Sequence, residues 1–169
     1  MAPNFDPLQV PVDRIDSHLA AVPSDRLAAE ALQQRFAYPP NWQPEILRER
    51  KFMEREPANA AVLMGVVMRA EPTILLTQRT EHMSTHAGQV AFAGGKCDAH
   101  DADAAATALR EAFEEIGLEA HHVKVLGELP TYITGSAFHV TPIVALIDPA
   151  MQLRINTHEV ASAFEVPLS

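Results

Sequence analysis

Residues 104–118 read AAATALREAFEEIGL, and between Arg110 and Glu115 three carboxylates, Glu111, Glu114 and Glu115, gather beside one guanidinium. On a helix Glu111 and Glu115 lie four apart and share a face, where like charges cost roughly 0.2–0.5 kcal/mol. Gly117 reads as a C-terminal cap, so Glu114 and Glu115 fall in the last turn, where the helix dipole favours cations. A bound cation removes both penalties at once. Clustered carboxylate oxygens suit magnesium or manganese, which keep several waters and bind few carboxylates together with substrate phosphate oxygens. Arg110, next to Glu111 and four before Glu114, can brace the acids with its fork of donors. Upstream, Gly94-Gly95 offer backbone where a Cβ would intrude. Asp98, Asp101 and Asp103 stand before or at the helix start, where acids are favourable, and read as structural. A Glu-rich helix taken alone is a solvated face. The order strand, Gly-Gly, acidic loop, Arg-Glu-x-x-Glu-Glu-x-Gly points instead to metal-assisted chemistry.

Such a cluster needs a scaffold, and the composition supplies one. The chain has 169 residues, 47% hydrophobic and 21% charged, as in an ordinary globular domain with a proper core. Its formal charge of −9 argues against a nucleic-acid groove or an anionic membrane as partner. A phosphate-bearing ligand therefore needs local help from a metal or a few placed basic groups. The single Cys97 excludes an internal disulfide, and no Cys/His cluster has zinc spacing. The start lacks a basic and apolar leader, and the longest apolar run, at 60–68, is too short to span a bilayer. A reducing cytoplasm is the expected setting.

The elements that would position the acids follow from periodicity and punctuation. Residues 1–23 read as extended, and Ser24 as the N-cap of a helix through about Ala37, with Leu27, Ala28, Ala31, Leu32 and Phe36 on one stripe. Residues 44–56 read as a short charged helix, and 1–59 together as an N-terminal extension packed on a domain of 60–169. Strands are expected at 60–69, 73–79, 90–93 (ending in the Gly pair), 123–129 and 139–147, with short pieces at 153–155 and 164–168. The helix of the acids spans about 102–116, its apolar side made by Ala105, Leu109, Ala112, Phe113 and Ile116. This order predicts an α/β fold with a mixed sheet and packed helices.

The segment GGKCDAHDADAAATALREAFEEIGL resembles a Nudix box, G-x5-E-x7-R-E-U-x-E-E-x-G-U with U apolar. Asp101 stands where the first glutamate is usual, and the span from Gly95 to Arg110 is one residue longer. That longer form is similar to the coenzyme A pyrophosphatase branch. So is LLTQRTEHMSTHAGQVAFAGG at 75–95, through Leu75, Leu76, Thr77, Arg79, His86, Gly88, Gln89, Val90 and Phe92. Met83-Ser84 replaces that branch's Leu-Arg, and Ala93 its proline. The resemblance implies a Nudix-like α/β/α sandwich that splits a nucleoside diphosphate derivative by water attack on phosphorus. From coenzyme A the products would be 4′-phosphopantetheine and adenosine 3′,5′-bisphosphate. It further implies Mg2+ or Mn2+ held by Glu111, Glu115, Glu114 and the Gly95 carbonyl, and Arg110 orienting the acids. Glu114 or Glu159 would be the base, and Arg79, Gln89, Gly94 and Gly95 would contact substrate. ADP-ribose or a dinucleotide is the alternative substrate, and a non-catalytic nucleotide-binding protein the alternative class. The sequence ends at FEVPLS, where such folds continue into a helix. The expectation is an apolar sheet face left exposed, or covered by the N-terminal helix or by a second subunit in a homodimer.

Overall fold

The computed structural model describes residues 22–41, 43–44, 48–50, 56–82 and 87–168. Its centre is a parallel pair, β1 (Ala58–Val67) and β7 (Phe138–Ile147), in register from Ala58 opposite Phe138 to Val67 opposite Ile147. Both strands are apolar runs rather than alternating ones, as suits strands covered on both faces, and Ile143–Ile147 are all buried. The other strands pair antiparallel: β2 (Thr73–Arg79), β3 (Val90–Ala91), β4 (Ala93–Lys96), β5 (Val123–Glu128), β6 (Tyr132–Ile133) and β8 (Val160–Pro167). The main path runs β3-β2-β1-β7-β5, with β4 beside β1, β6 beside β7 and β8 beside β2.

Helix α2 (Ala104–Ile116) lies on one face. Its Ala108, Ala112 and Ile116 join Ala61, Leu63, Val67, Ile143, Ala145 and Ile147 in one buried core. Helix α1 (Ala29–Ala37) lies on the other, against β5, where Phe36 covers Gly127 and Lys124 Nζ donates to Gln33 Oε1 at 2.6 Å. Lys124 and Gly127 pair with Leu146 and Val144, which alternate with the α2-facing Ala145 and Ile147. Helices on both faces of an open mixed sheet make the expected α/β/α sandwich. No helix among the described residues is long and apolar enough to cross a membrane.

Several local expectations are corrected. Ser24 is no N-cap: Ser24–Leu27 form a 3-10 turn, Ala28 is extended, and α1 starts after it without a side-chain cap. Arg48–Arg50 are not helical, because backbone pairing to a distant strand replaces local bonding. Arg48 bridges Ile133 and the Glu49 N–H donates to the Ile133 carbonyl at 2.8 Å. The rest of 44–56, most of 1–23 and His86 fall largely or wholly outside the described residues. Gly94-Gly95 do not end a strand but lie inside β4, opposite Val62 and Ala61. Residues 153–155 form no strand; the Arg154 N–H instead donates to the Ile116 carbonyl at 2.8 Å. The buried face of α2 includes Thr107 and Glu115, while Phe113 is 53% exposed. Small Ala108 and Ala112 let the helix approach the sheet closely, and that choice of face turns the acids inward.

Both ends of α2 are fixed by the residues expected there. Asp103 Oδ1 accepts from the Ala106 N–H at 2.8 Å, and Gly117 takes φ 67°, donating its N–H to the Phe113 carbonyl at 2.9 Å. A Cβ on Gly117 would also lie 2.9 Å from Arg154 Cβ. Gly117→Ala is therefore expected to destabilise the fold by about 1–2 kcal/mol in urea unfolding. Unchanged stability would contradict this reading of the cap.

Candidate active site

Thr107, Glu111 and Glu115 succeed one another at four-residue spacing on the flank of α2 that faces the sheet, whereas Glu114 points outward, its side chain 53% exposed. Arg110 makes five bonds, three that tie the helix to Asp101 and Lys96 before it and two to acids of the helix itself. Nε and Nη2 grip Asp101 at 3.0 and 2.9 Å, Nη2 also reaches the Lys96 carbonyl at 3.0 Å, and Nη1 donates to Glu111 at 2.8 Å and Glu114 at 3.1 Å. All five guanidinium donors are thus used. Asp101 further accepts from Thr107 Oγ1 and from the Asp98 N–H, each at 2.8 Å. Arg110 first, then the Asp98 amide, hold the Asp101 carboxyl far below the usual carboxylate range. Asp101, first of all, and then Glu111 raise the already high proton affinity of Arg110.

Glu115 is the exception to this web of pairing. It is 3% exposed, with Oε2 accepting from the Gly94 N–H at a long 3.3 Å and Oε1 3.5 Å from Arg79 Nη1. Burial pushes its carboxyl up to about 7; Glu111 and Glu159 push the same way, and the Gly94 amide and Arg79 pull against them. The glycine pair makes this approach possible. A Cβ on Gly94 would sit 2.7 Å from Val62 Cα, and one on Gly95 would sit 2.5 Å from the carboxyl carbon of Glu111.

Two further expected residues arrive from outside the helix. Glu159 ends a turn stitched to the end of α2: the Asn156 N–H donates to the Glu115 carbonyl at 2.9 Å, and Asn156 Nδ2 to Glu159 Oε1 at 3.3 Å. The Glu159 carbonyl in turn accepts from the Thr80 N–H at 3.0 Å, next to Arg79. The pairing of β2 with β8 slips between Gln78 and Arg79, and such a bulge re-aims the side chain that follows. Arg79 faces Glu115, and its buried Nε finds no hydrogen-bond partner among the described residues. Gln89 meets this group through its backbone carbonyl, which accepts from the Arg79 N–H at 2.9 Å, and the residue is exposed. Sequence reasoning missed Thr107, although it stands one turn before Glu111, and Asn156, for which the sequence carries no signal.

These oxygens fit a hard divalent ion. Among the described residues no three acids form a ready-made cage, because Arg110 holds Glu111 and Glu114 while Arg79 faces Glu115. A nearby cation would favour the charged form of Glu115, whose carboxyl is raised first by burial and then by Glu111 and Glu159, and Glu111 and Glu115 are the residues that would hold it. Glu114 can join by leaving Arg110.

Residues 59–168 match the family model described as the NUDIX domain. The chain is 51% identical over 110 residues to a protein of Yersinia enterocolitica named "Uncharacterized Nudix hydrolase NudL", covering 65% of this chain and 56% of that one. It is 46% identical over 127 residues to the protein of the same name from Yersinia pestis, covering 75% and 64%. The matched part thus spans less than two thirds of these curated relatives. Among solved structures, an Ap4A hydrolase of C. elegans aligns with TM-score 0.54 at 20% identity over 66% of this chain and 80% of that one. The MutT protein of Methanosarcina mazei aligns with TM-score 0.52 at 21% identity, covering 69% and 81%. The NUDIX domain of Shewanella oneidensis NrtR, complexed with ADP ribose, aligns with TM-score 0.51 at 17% identity, covering 80% and 82%. These structures share the fold.

Proposed function

Because the chain belongs to the Nudix family, we propose that it is a metal-dependent pyrophosphohydrolase acting on coenzyme A or its derivatives. The observation that carries the reading is Glu115, a buried acid set against Glu111, Glu159 and the Gly94-Gly95 backbone at the end of a helix. Bound Mg2+ or Mn2+ would clamp the diphosphate, acidify an attacking water and stabilise the leaving oxygen. Glu111 and Glu115 would hold the ion, with Glu114 and the Gly95 carbonyl as further ligands. Arg110 keeps the helix acids and the Asp101 loop in one arrangement. Arg79, whose buried Nε has no hydrogen-bond partner among the described residues, together with Gln89, Gly94 and Gly95, receives the phosphates. One water enters, one P–O–P bridge breaks, and coenzyme A yields 4′-phosphopantetheine and adenosine 3′,5′-bisphosphate. The 75–95 signature and the lengthened, Asp101-bearing loop favour coenzyme A over ADP-ribose or a dinucleotide. An N-terminal extension before a catalytic domain of about 60–169 is the proposed division; the contact of α1 with β5 supports it, while β1 already begins at Ala58. A cytoplasmic setting suits the exposed Cys97, and a homodimer is the proposed alternative to α1 as the cover of that sheet face.

Glu159 is the favoured base, since Arg110 Nη1 already donates to Glu114, whereas among the described residues the Glu159 carboxylate accepts from the neutral Asn156 amide. Glu159→Gln is expected to lower kcat by about 10²–10⁴-fold with KM nearly unchanged. Full turnover in that variant would transfer the role to Glu114. The function itself is tested by turnover of coenzyme A, ADP-ribose and a dinucleoside polyphosphate with each metal. Fastest release of adenosine 3′,5′-bisphosphate from coenzyme A supports the proposal, and preference for another substrate reassigns it. Tight binding without turnover makes the protein a nucleotide binder.

A further inference from the structure

A cavity of about 360 Å³ opens where β6 pairs with the start of β7, within the range of roughly 300–1,000 Å³ usual for small-molecule sites. Its walls include Pro57, Ile133 and Ala137, and Arg48, Arg50 and His139 supply its basic groups. The segment that brings the two arginines precedes the family domain and is fastened to it. Arg48 bridges Ile133, and Glu49 accepts from Tyr132 Oη at 3.0 Å and from the Gly135 N–H at 2.8 Å. Glu49, the one acid lining the cavity among the described residues, is thereby committed to the turn between β6 and β7. Among the described residues no carboxylate lies within ion-pairing distance of Arg48 or Arg50. Lys96 adds a further cation nearby, its Nζ 5.8 Å from the ring centre of Phe138, which follows Ala137. In a chain of net charge −9 this is a local concentration of positive charge.

The cavity lies beside a hollow that borders α2. This second hollow, of about 390 Å³ and lined by Asp101, Thr107 and Thr141, shares His139 with the first. Thr107 stands one helical turn before Glu111 on the same flank. His139 thus stands between the two arginines on one side and, on the other, the hollow whose wall includes Thr107, one turn before Glu111.

We propose that Arg48 and Arg50, with His139, form a subsite for a phosphate monoester that the nucleotide substrate carries away from its scissile diphosphate. Two guanidinium forks and an imidazole match the three terminal oxygens of a phosphate better than the two of a carboxylate. The inference rests on the hydrolase reading and deepens it: substrates bearing an extra phosphate are selected by the segment outside the family domain.

The test begins without metal, so that it does not depend on turnover. In chelator, wild-type protein is expected to bind adenosine 3′,5′-bisphosphate at least tenfold tighter than adenosine 5′-monophosphate by calorimetry. Arg48→Gln/Arg50→Gln loses that preference, and Arg48→Lys/Arg50→Lys, which keeps the charge, recovers part of it. With metal, the preference in KM for coenzyme A over 3′-dephospho-coenzyme A collapses in the Gln variant. No preference in the wild type, or a preference surviving both Gln substitutions, overturns the subsite. Inorganic phosphate binding as tightly as the bisphosphate makes it a free-phosphate site and overturns the substrate-borne reading. Preference without turnover of any substrate leaves the subsite standing and removes the hydrolase; turnover with an unmoved KM ratio does the reverse.

Discussion

Glu115→Gln is expected to cut turnover by about 10²–10³-fold and yet to make the metal-free protein more heat-stable at pH 8. The amide keeps the shape and the bond from the Gly94 N–H but removes a charge that the fold buries at a cost. The sign follows from linkage. The Glu115 carboxyl titrates near 7 in the folded protein against 4.5 as its ordinary value. The folded state therefore holds a proton that the unfolded chain loses between these values, and wild-type stability falls as pH rises from 4.5 to about 7. The variant lacks this loss. Since Arg79 gives up its counter-charge in the variant, the net gain above pH 7 is on the order of 1–2 kcal/mol, or several degrees in Tm. At pH 5 the two proteins melt together. Magnesium reverses the order at pH 8 by raising the wild type and not the variant. A variant less stable at both pH values would refute the burial of an uncompensated carboxylate.

The second large effect is expected at Arg110, which touches acids and backbone rather than substrate. Arg110→Met removes five hydrogen bonds at once and leaves Asp101, Glu111 and Glu114 without their shared cation. A kcat loss of about 10²-fold follows from misplaced ligands. Arg110→Lys keeps the charge but not the fork, and is expected to recover stability more than kcat. The pH dependence identifies the partner. Because Arg110 depresses the Asp101 carboxyl, the stability it confers is full above the ordinary carboxylate value of 3.8 and fades as pH falls below it. The gap in Tm between wild type and Arg110→Met is thus widest near pH 7 and narrows on acidification. The acids released from Arg110 also attract cations, so magnesium raises the Tm of Arg110→Met more than that of the wild type. Equal magnesium shifts would remove Arg110 from its positioning role.

What the sequence discloses and what it hides divide along the distance between partners. The β1 and β7 strands are legible because an uninterrupted apolar run has few other uses, and α2 because Asp103, Gly117 and its alternating alanines mark both ends and one side. The pairing of Arg110 with acids is legible because its partners are one and four residues away or in the adjoining loop. Gly94-Gly95 look like a strand end locally; their pairing with Ala61 and Val62, over thirty positions upstream, makes them part of β4. Arg79 facing Glu115 depends on a slip between β2 and β8, and Glu159 on Asn156 binding the end of α2. Neither is visible in spacing. The apolar period of α2 permits Phe113 on its inner side, and close packing through Ala108 and Ala112 excludes it. At Arg48 a charged stretch that reads as helix is captured by a two-residue strand, β6, too short to announce itself.

The most direct measurement is anomalous diffraction from crystals soaked in manganese with a non-hydrolysable nucleotide. The account predicts an anomalous peak bonded by the carboxylates of both Glu111 and Glu115, with Arg79 turned from Glu115 towards the phosphates. Density showing Glu111 still on Arg110, Glu115 still facing Arg79 and no metal between the two acids would contradict it.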